Sequence, residues 1–63
     1  MHFECVWCHG QIDVERAGWA YIQSVALLHL HSCPSRPPDV TPEAIAATAA
    51  QIADAMDKKF RED

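Results

Sequence analysis

The chain has 63 residues and a formal net charge of −4, with five basic and nine acidic side chains. That length allows one domain at most, and so short a chain buries too little apolar surface to offset its conformational entropy comfortably. A staple is therefore expected (a metal, a disulfide or a partner chain), and the acidic balance disfavours non-specific nucleic-acid binding, which rests on Lys and Arg neutralising phosphates.

Residues 1–33 hold all three cysteines and all four histidines. An odd number of cysteines cannot pair completely within one chain, which argues against a secreted disulfide framework. The opening stretch MHFECVWCHG lacks the basic segment and apolar run of a signal peptide. The apolar stretch 19–30 is interrupted by Gln23, Ser24 and His29. It falls short of the roughly 20 apolar residues that span a bilayer. These features predict a cytoplasmic protein from a reducing compartment, without a membrane span.

The first motif is CVWCHG, residues 5–10. Cys5 and Cys8 stand at Cys-x-x-Cys spacing, where a tight turn brings both sulfurs onto one ion, and Gly10 suits the exit from such a knuckle. A redox use of this pair fits poorly, because a thioredoxin-like unit needs a longer chain.

The next stretch, WAYIQSVALLHLHS, reads in two ways. As a hairpin, WAYIQ and ALLHLH pair around a turn at Gln23–Val25, with Leu27, His29, His31 and Cys33 on one side. As a helix, Trp19, Ile22, Ala26 and Leu30 line up, and His29 and Cys33 lie one turn apart. The Trp, Tyr, Ile and Val content and the restriction that Pro34 places on Cys33 favour the hairpin. The turn, however, has no Gly or Asn.

PSRPPDVT, residues 34–41, is a linker, because its prolines forbid a continuing helix. Residues 42–61 predict an amphipathic helix. Thr41 is an N-cap and Pro42 a first helical residue. Glu43 in the first turn and Lys58, Lys59 and Arg61 in the last suit the helix dipole. Ile45, Ala49, Ile52, Met56 and Phe60 recur at helical spacing on one face. The basic cluster at the end is offset by Asp54, Asp57, Glu62 and Asp63.

Four nitrogen or sulfur donors in a tetrahedron suit Zn²⁺. Cys5, Cys8 and Cys33 supply three. The fourth is a histidine near Cys33. On a strand, residues two apart point the same way about 6.5 Å apart. The hairpin reading therefore selects His31, and His29 is the alternative, reached if the segment is helical. The predicted set is Cys5, Cys8, His31 and Cys33. Three thiolates (−3) and one divalent ion (+2) would take the net charge from −4 to −5.

CVWCHG and HLHSCP together resemble the small zinc-ribbon-like or zinc-finger proteins of phage, plasmid and actinobacterial type. The resemblance implies a Cys-x-x-Cys knuckle joined by a Trp-containing hairpin to a second ligand pair before Pro34. Ribbons usually carry Cys-x-x-Cys there; this chain has His-x-Cys or His-x-x-x-Cys instead.

The expected fold is thus a small α+β domain: a zinc-bound β-hairpin module over 1–33, a proline-rich linker over 34–41 and one C-terminal helix. The expected function is a non-enzymatic, structural-zinc module for protein interaction. Its docking surface would be the Ile45, Ile52, Met56 and Phe60 face, open to a protein partner or a second copy. A small zinc-finger regulator of nucleic acid is the alternative.

Overall fold

The structure, a computed structural model, describes residues 1–62. Asp63, counted above among the acids near the basic cluster, lies outside the described residues. Element order is β1 (His2–Glu4), β2 (Gln11–Asp13), α1 (Trp19–Ser32) and α2 (Pro42–Glu62).

β1 and β2 form an antiparallel pair in which His2, Phe3 and Glu4 face Asp13, Ile12 and Gln11. Met1 and Val14 extend it, with Val14 N–H donating to the Met1 carbonyl at 2.7 Å. Alternation along each strand sends Phe3 and Ile12 toward the interior and leaves His2, Glu4, Gln11 and Asp13 exposed. The β-hairpin therefore lies at the N-terminus, around the Cys-x-x-Cys turn.

The expected hairpin over WAYIQSVALLHLHS is instead the continuous helix α1. Among the described residues the fold is one β-hairpin and two helices, not one hairpin and one helix. Three features account for the helix. The segment has no turn residue at its middle. Ile22, Ala26 and Leu30 form a fully buried i, i+4, i+8 row. Pro34 restricts only the residue before it: Cys33 is extended, at φ −63° and ψ 127°, while Ser32 is still helical. At the other end Gly18 takes φ 131°, a conformation rare for any residue with a Cβ, and its carbonyl accepts the N–H of Ile22.

The linker consists of two successive turns. Arg36 N–H donates to the Cys33 carbonyl at 3.1 Å and Val40 N–H to the Pro37 carbonyl at 3.4 Å. Pro34 and Pro38 occupy the second position of each turn, where a fixed φ near −65° is an advantage. α2 then begins where the sequence indicates. Thr41 Oγ1 accepts the N–H of Ala44 at 3.1 Å, a helix cap.

The two helices pack as an antiparallel hairpin. Ile22, Ala26 and Leu30 of α1 meet a core that includes Ile45, Ala49, Ala53 and Met56 of α2. Ala26, Ala49 and Ala53 are fully buried, and their small size allows the backbones to approach closely. Trp19 Nε1–H donates to Asp54 Oδ1 at 2.6 Å and pins the start of α1 to α2. Ile45 and Met56 are therefore interior residues, and Ile52 and Phe60 pack half-buried against the same core. Of the α2 face that the sequence offered to a partner, Ile45 and Met56 are covered within the chain, while Ile52 and Phe60 stay half-exposed. No helix among the described residues is long and apolar enough to cross a membrane.

Candidate metal centre

The site lies where the β-hairpin turn meets the end of α1. Cys5 follows β1 directly. The chain then turns back on itself: His9 N–H donates to the Cys5 carbonyl and Cys5 N–H to the Gly10 carbonyl, both at 3.0 Å. This reversal needs one left-handed residue, and His9 supplies it at φ 59°. Gly10 does stand at the exit from the knuckle, as its sequence position suggested, and its carbonyl accepts the Cys5 N–H. Gly10 is not in the left-handed region; a Cβ there would lie 3.4 Å from Cys8 Sγ.

His29 and Cys33 lie four residues apart at the end of α1, so they share one face of it. The same face carries Ile22, Ala26 and Leu30, whose burial orients the two donors toward the knuckle. Cys5, Cys8, His29 and Cys33 each offer a donor atom, and the four atoms all lie within 4.8 Å of one another. Cys5 Sγ is 3.7 Å from Cys33 Sγ, and Cys8 Sγ is 3.6 Å from His29 Nε2. The four residues are close enough to hold a metal ion.

The predicted ligand His31 is exposed and outside this group. On a strand it would share a side with Cys33. On a helix two residues subtend about 200°, which turns it away. The alternative, His29, is the histidine that the structure brings to the cysteines. The signal was present as His-x-x-x-Cys, a spacing that has this meaning only on a helix. His2 is exposed on β1, and His9 is exposed with Nδ1 3.8 Å from Glu4 Oε2.

The cluster's two inner thiols differ electrostatically. Burial pushes the Cys5 thiol up, but the backbone N–H groups of Cys8 and Trp7, helped by the His29 and Cys8 side chains, outweigh it. The result is a pKa lowered to about 6. The Trp7 N–H to Cys5 Sγ contact is 3.5 Å. Burial pushes the Cys33 thiol up; the backbone N–H of Ser35 opposes this, while the neighbouring Cys5 and Cys8 reinforce it. A thiolate beside a thiol that resists ionisation is a pair that a divalent cation would reconcile. The three thiols are free. At 3.7 Å the inner pair is well beyond the roughly 2.05 Å of a disulfide.

Comparison with protein-family models, with curated proteins and with solved structures finds no match to this chain.

Proposed function

We propose that Cys5, Cys8, His29 and Cys33 bind one structural Zn²⁺, and that the chain is a non-enzymatic protein-interaction module whose N-terminal hairpin is fastened to α1 by that ion. One observation carries the reading. Zn–S bonds of about 2.3 Å and Zn–N bonds of about 2.05 Å, at tetrahedral angles, require sulfurs about 3.8 Å apart and sulfur and nitrogen about 3.6 Å apart. Cys5 Sγ–Cys33 Sγ stands at 3.7 Å and Cys8 Sγ–His29 Nε2 at 3.6 Å, and all four donor atoms lie within 4.8 Å of one another.

Donor chemistry supports the same metal. Thiolates with one imidazole suit zinc, whereas hard cations prefer oxygen. Four protein donors complete a tetrahedron and leave no position for a substrate, unlike a catalytic zinc with three. The order Cys-x-x-Cys on a hairpin, then His-x-x-x-Cys on a helix, is that of a ββα zinc finger. This narrows the ribbon-or-finger resemblance toward the finger. The free thiols fit a reducing compartment such as the cytoplasm.

Nucleic-acid binding has less support. Residues 19–32 contain no Lys or Arg. Arg16 lies over the Tyr21 ring, 4.4 Å from its centroid, and Arg61 pairs with Asp57 at 2.8 Å.

Native mass spectrometry of protein expressed in zinc-supplemented medium tests the proposal. One zinc per chain, lost in Cys5→Ser and Cys33→Ser, is the expected result. A compact chain that takes up no zinc at neutral pH would refute it.

A further inference from the structure

The three thiols of the cluster are not equivalent. Cys5 and Cys33 are 0% and 6% exposed, whereas Cys8 is half-buried. Cys5 Sγ and Cys33 Sγ stand 3.7 Å apart although 28 positions separate the residues in the chain. Cys5 directly follows β1 and Cys33 ends α1, so the pair spans the junction of hairpin and helix. Closing the gap to the roughly 2.05 Å of a disulfide takes less than about 2 Å of side-chain movement. Cys8 Sγ lies within 4.8 Å of both. With three thiols, one is always left over to exchange with whatever pair forms.

We infer that the cluster is a redox-sensitive fastener: hydrogen peroxide converts it to a Cys5–Cys33 disulfide, which releases the metal and ties the hairpin to the end of α1 in its place. The release of metal rests on the zinc proposal; the choice of disulfide rests on the sulfur positions alone. Peroxide arrives at Cys8, the most accessible of the three thiols. The Cys8 thiolate takes one oxygen and becomes a sulfenic acid, and one water leaves. Cys5 or Cys33 attacks the Cys8 sulfur, a disulfide forms and the second water leaves. The remaining thiolate attacks the other sulfur of that bond, and Cys8 departs as a thiolate. In total two thiolates lose two electrons, and one peroxide with two protons from solvent becomes two waters. Exchange through Cys8 lets the more stable pairing prevail. A Cys5–Cys8 bond closes a short loop inside the knuckle and fastens nothing to α1. A Cys5–Cys33 bond closes a long loop, restrains the unfolded chain more, and joins the two elements. Cys8 and His29, the two donors left, fall short of the four that a structural zinc site needs.

Disulfide mapping, zinc release and hydrogen exchange of the full chain test the inference. Native mass spectrometry of the reduced chain comes first, so that a lack of zinc counts against the metal proposal and not against the disulfide. Hydrogen peroxide is then added, remaining thiols are alkylated, and chymotrypsin cuts after Trp7, which separates Cys5 from Cys8. The expected product is a monomer lighter by two hydrogens, alkylated at Cys8, with the Cys5 and Cys33 peptides linked. Samples that began with zinc release one ion per disulfide formed, read with a chromophoric chelator. In chelator the oxidised chain keeps the protection of the Cys5, His9 and Val14 amides within about tenfold of the zinc-loaded chain, whereas the reduced chain loses at least about 100-fold. Cys8→Ser forms the same bond at least about tenfold more slowly, because peroxide must then reach a buried sulfur. Thiols that stay reduced, Cys5–Cys8 as the main product, bonds between chains, zinc retained after the bond forms, or an oxidised chain as unprotected as the reduced metal-free one would each overturn the inference.

Discussion

Cys8 and His29 are twenty-one residues apart in the chain, yet Cys8 Sγ lies 3.6 Å from His29 Nε2. The contact joins the β-hairpin turn to the last turns of α1, and it exists only because α1 is a helix. On a strand His29 would lie about 13 Å along the chain from Cys33.

The first prediction separates the histidines. His29→Ala removes one of the four donors and lowers zinc affinity by at least about 100-fold, the upper end of what outer-shell changes alone cost. His31→Ala, exposed and outside the cluster, leaves affinity unchanged and stability within about 0.5 kcal/mol. Competition with a chromophoric chelator measures both. Equal losses, or a larger loss for His31→Ala, would remove His29 from the ligand set.

Metal removal should loosen the molecule unevenly. Strands of three residues in a two-stranded sheet are not stable alone. The α1–α2 seam has its own buried row of Ile22, Ala26, Leu30, Ile45, Ala49 and Ala53. Chelation should cut hydrogen-exchange protection of the Cys5, His9 and Val14 amides by at least about 100-fold, since structural zinc contributes on the order of 10 kcal/mol. The amides of residues 49–53 should lose less. Uniform loss along the chain would show that the seam has no independent stability.

Zinc affinity should depend on pH in two regimes. In the folded metal-free chain Cys5 is ionised above about pH 6, whereas Cys33 holds its proton above the usual thiol range. Zinc must displace the Cys33 proton at neutral pH, so affinity rises with pH there. Below about pH 6 the Cys5 proton must be displaced as well, and the slope steepens. Because its folded-state pKa is depressed, ionised Cys5 favours the metal-free fold fully above its ordinary value of 9.0 and loses that contribution as pH falls through about 6. Calorimetric titration across pH 5–9, compared between buffers, counts the protons; a single constant slope would mean that the pocket assembles only with the ion.

His9→Gly should stabilise the chain. A left-handed conformation costs a non-glycine residue about 1–2 kcal/mol, and glycine's extra unfolded-state entropy returns about 0.5–1. The exposed His9–Glu4 contact at 3.8 Å adds little to the native side. A net gain of about 0.5–1 kcal/mol in urea denaturation of the zinc-loaded protein is expected. A loss would show that the imidazole does something in the knuckle beyond completing the turn.

Ala53 is fully buried at the helix seam. Ala53→Leu should force the helices apart and cost about 1–3 kcal/mol. Ala47→Leu, exposed on the same helix, should cost less than about 0.5 kcal/mol. Thermal unfolding of the two variants makes the comparison.

Much of this molecule was legible in its residues. Thr41 and Pro42 start α2 and the prolines of 34–41 make two turns, both on local chemistry that neighbouring residues decide, and Cys5, Cys8 and Cys33 meet as their thiol chemistry and count indicated. The conformation of 19–32 was not decided that way. Trp19, Tyr21, Ile22, Val25, Ala26, Leu27, Leu28 and Leu30 surround the segment with apolar side chains, so a period of two and a period of 3.6 both fit. Packing against Ala49 and Ala53 selects the helix, since only a helix buries Ile22, Ala26 and Leu30 while leaving exposed Ser24 and Leu28, which would share their side on a strand. That choice then turns His29 inward and His31 outward and covers Ile45 and Met56 of the α2 face that seemed free. The residues indicated which sulfurs are available to gather; packing settled which imidazole joins them, because a side chain's direction depends on the backbone period and that period was settled by the partner helix.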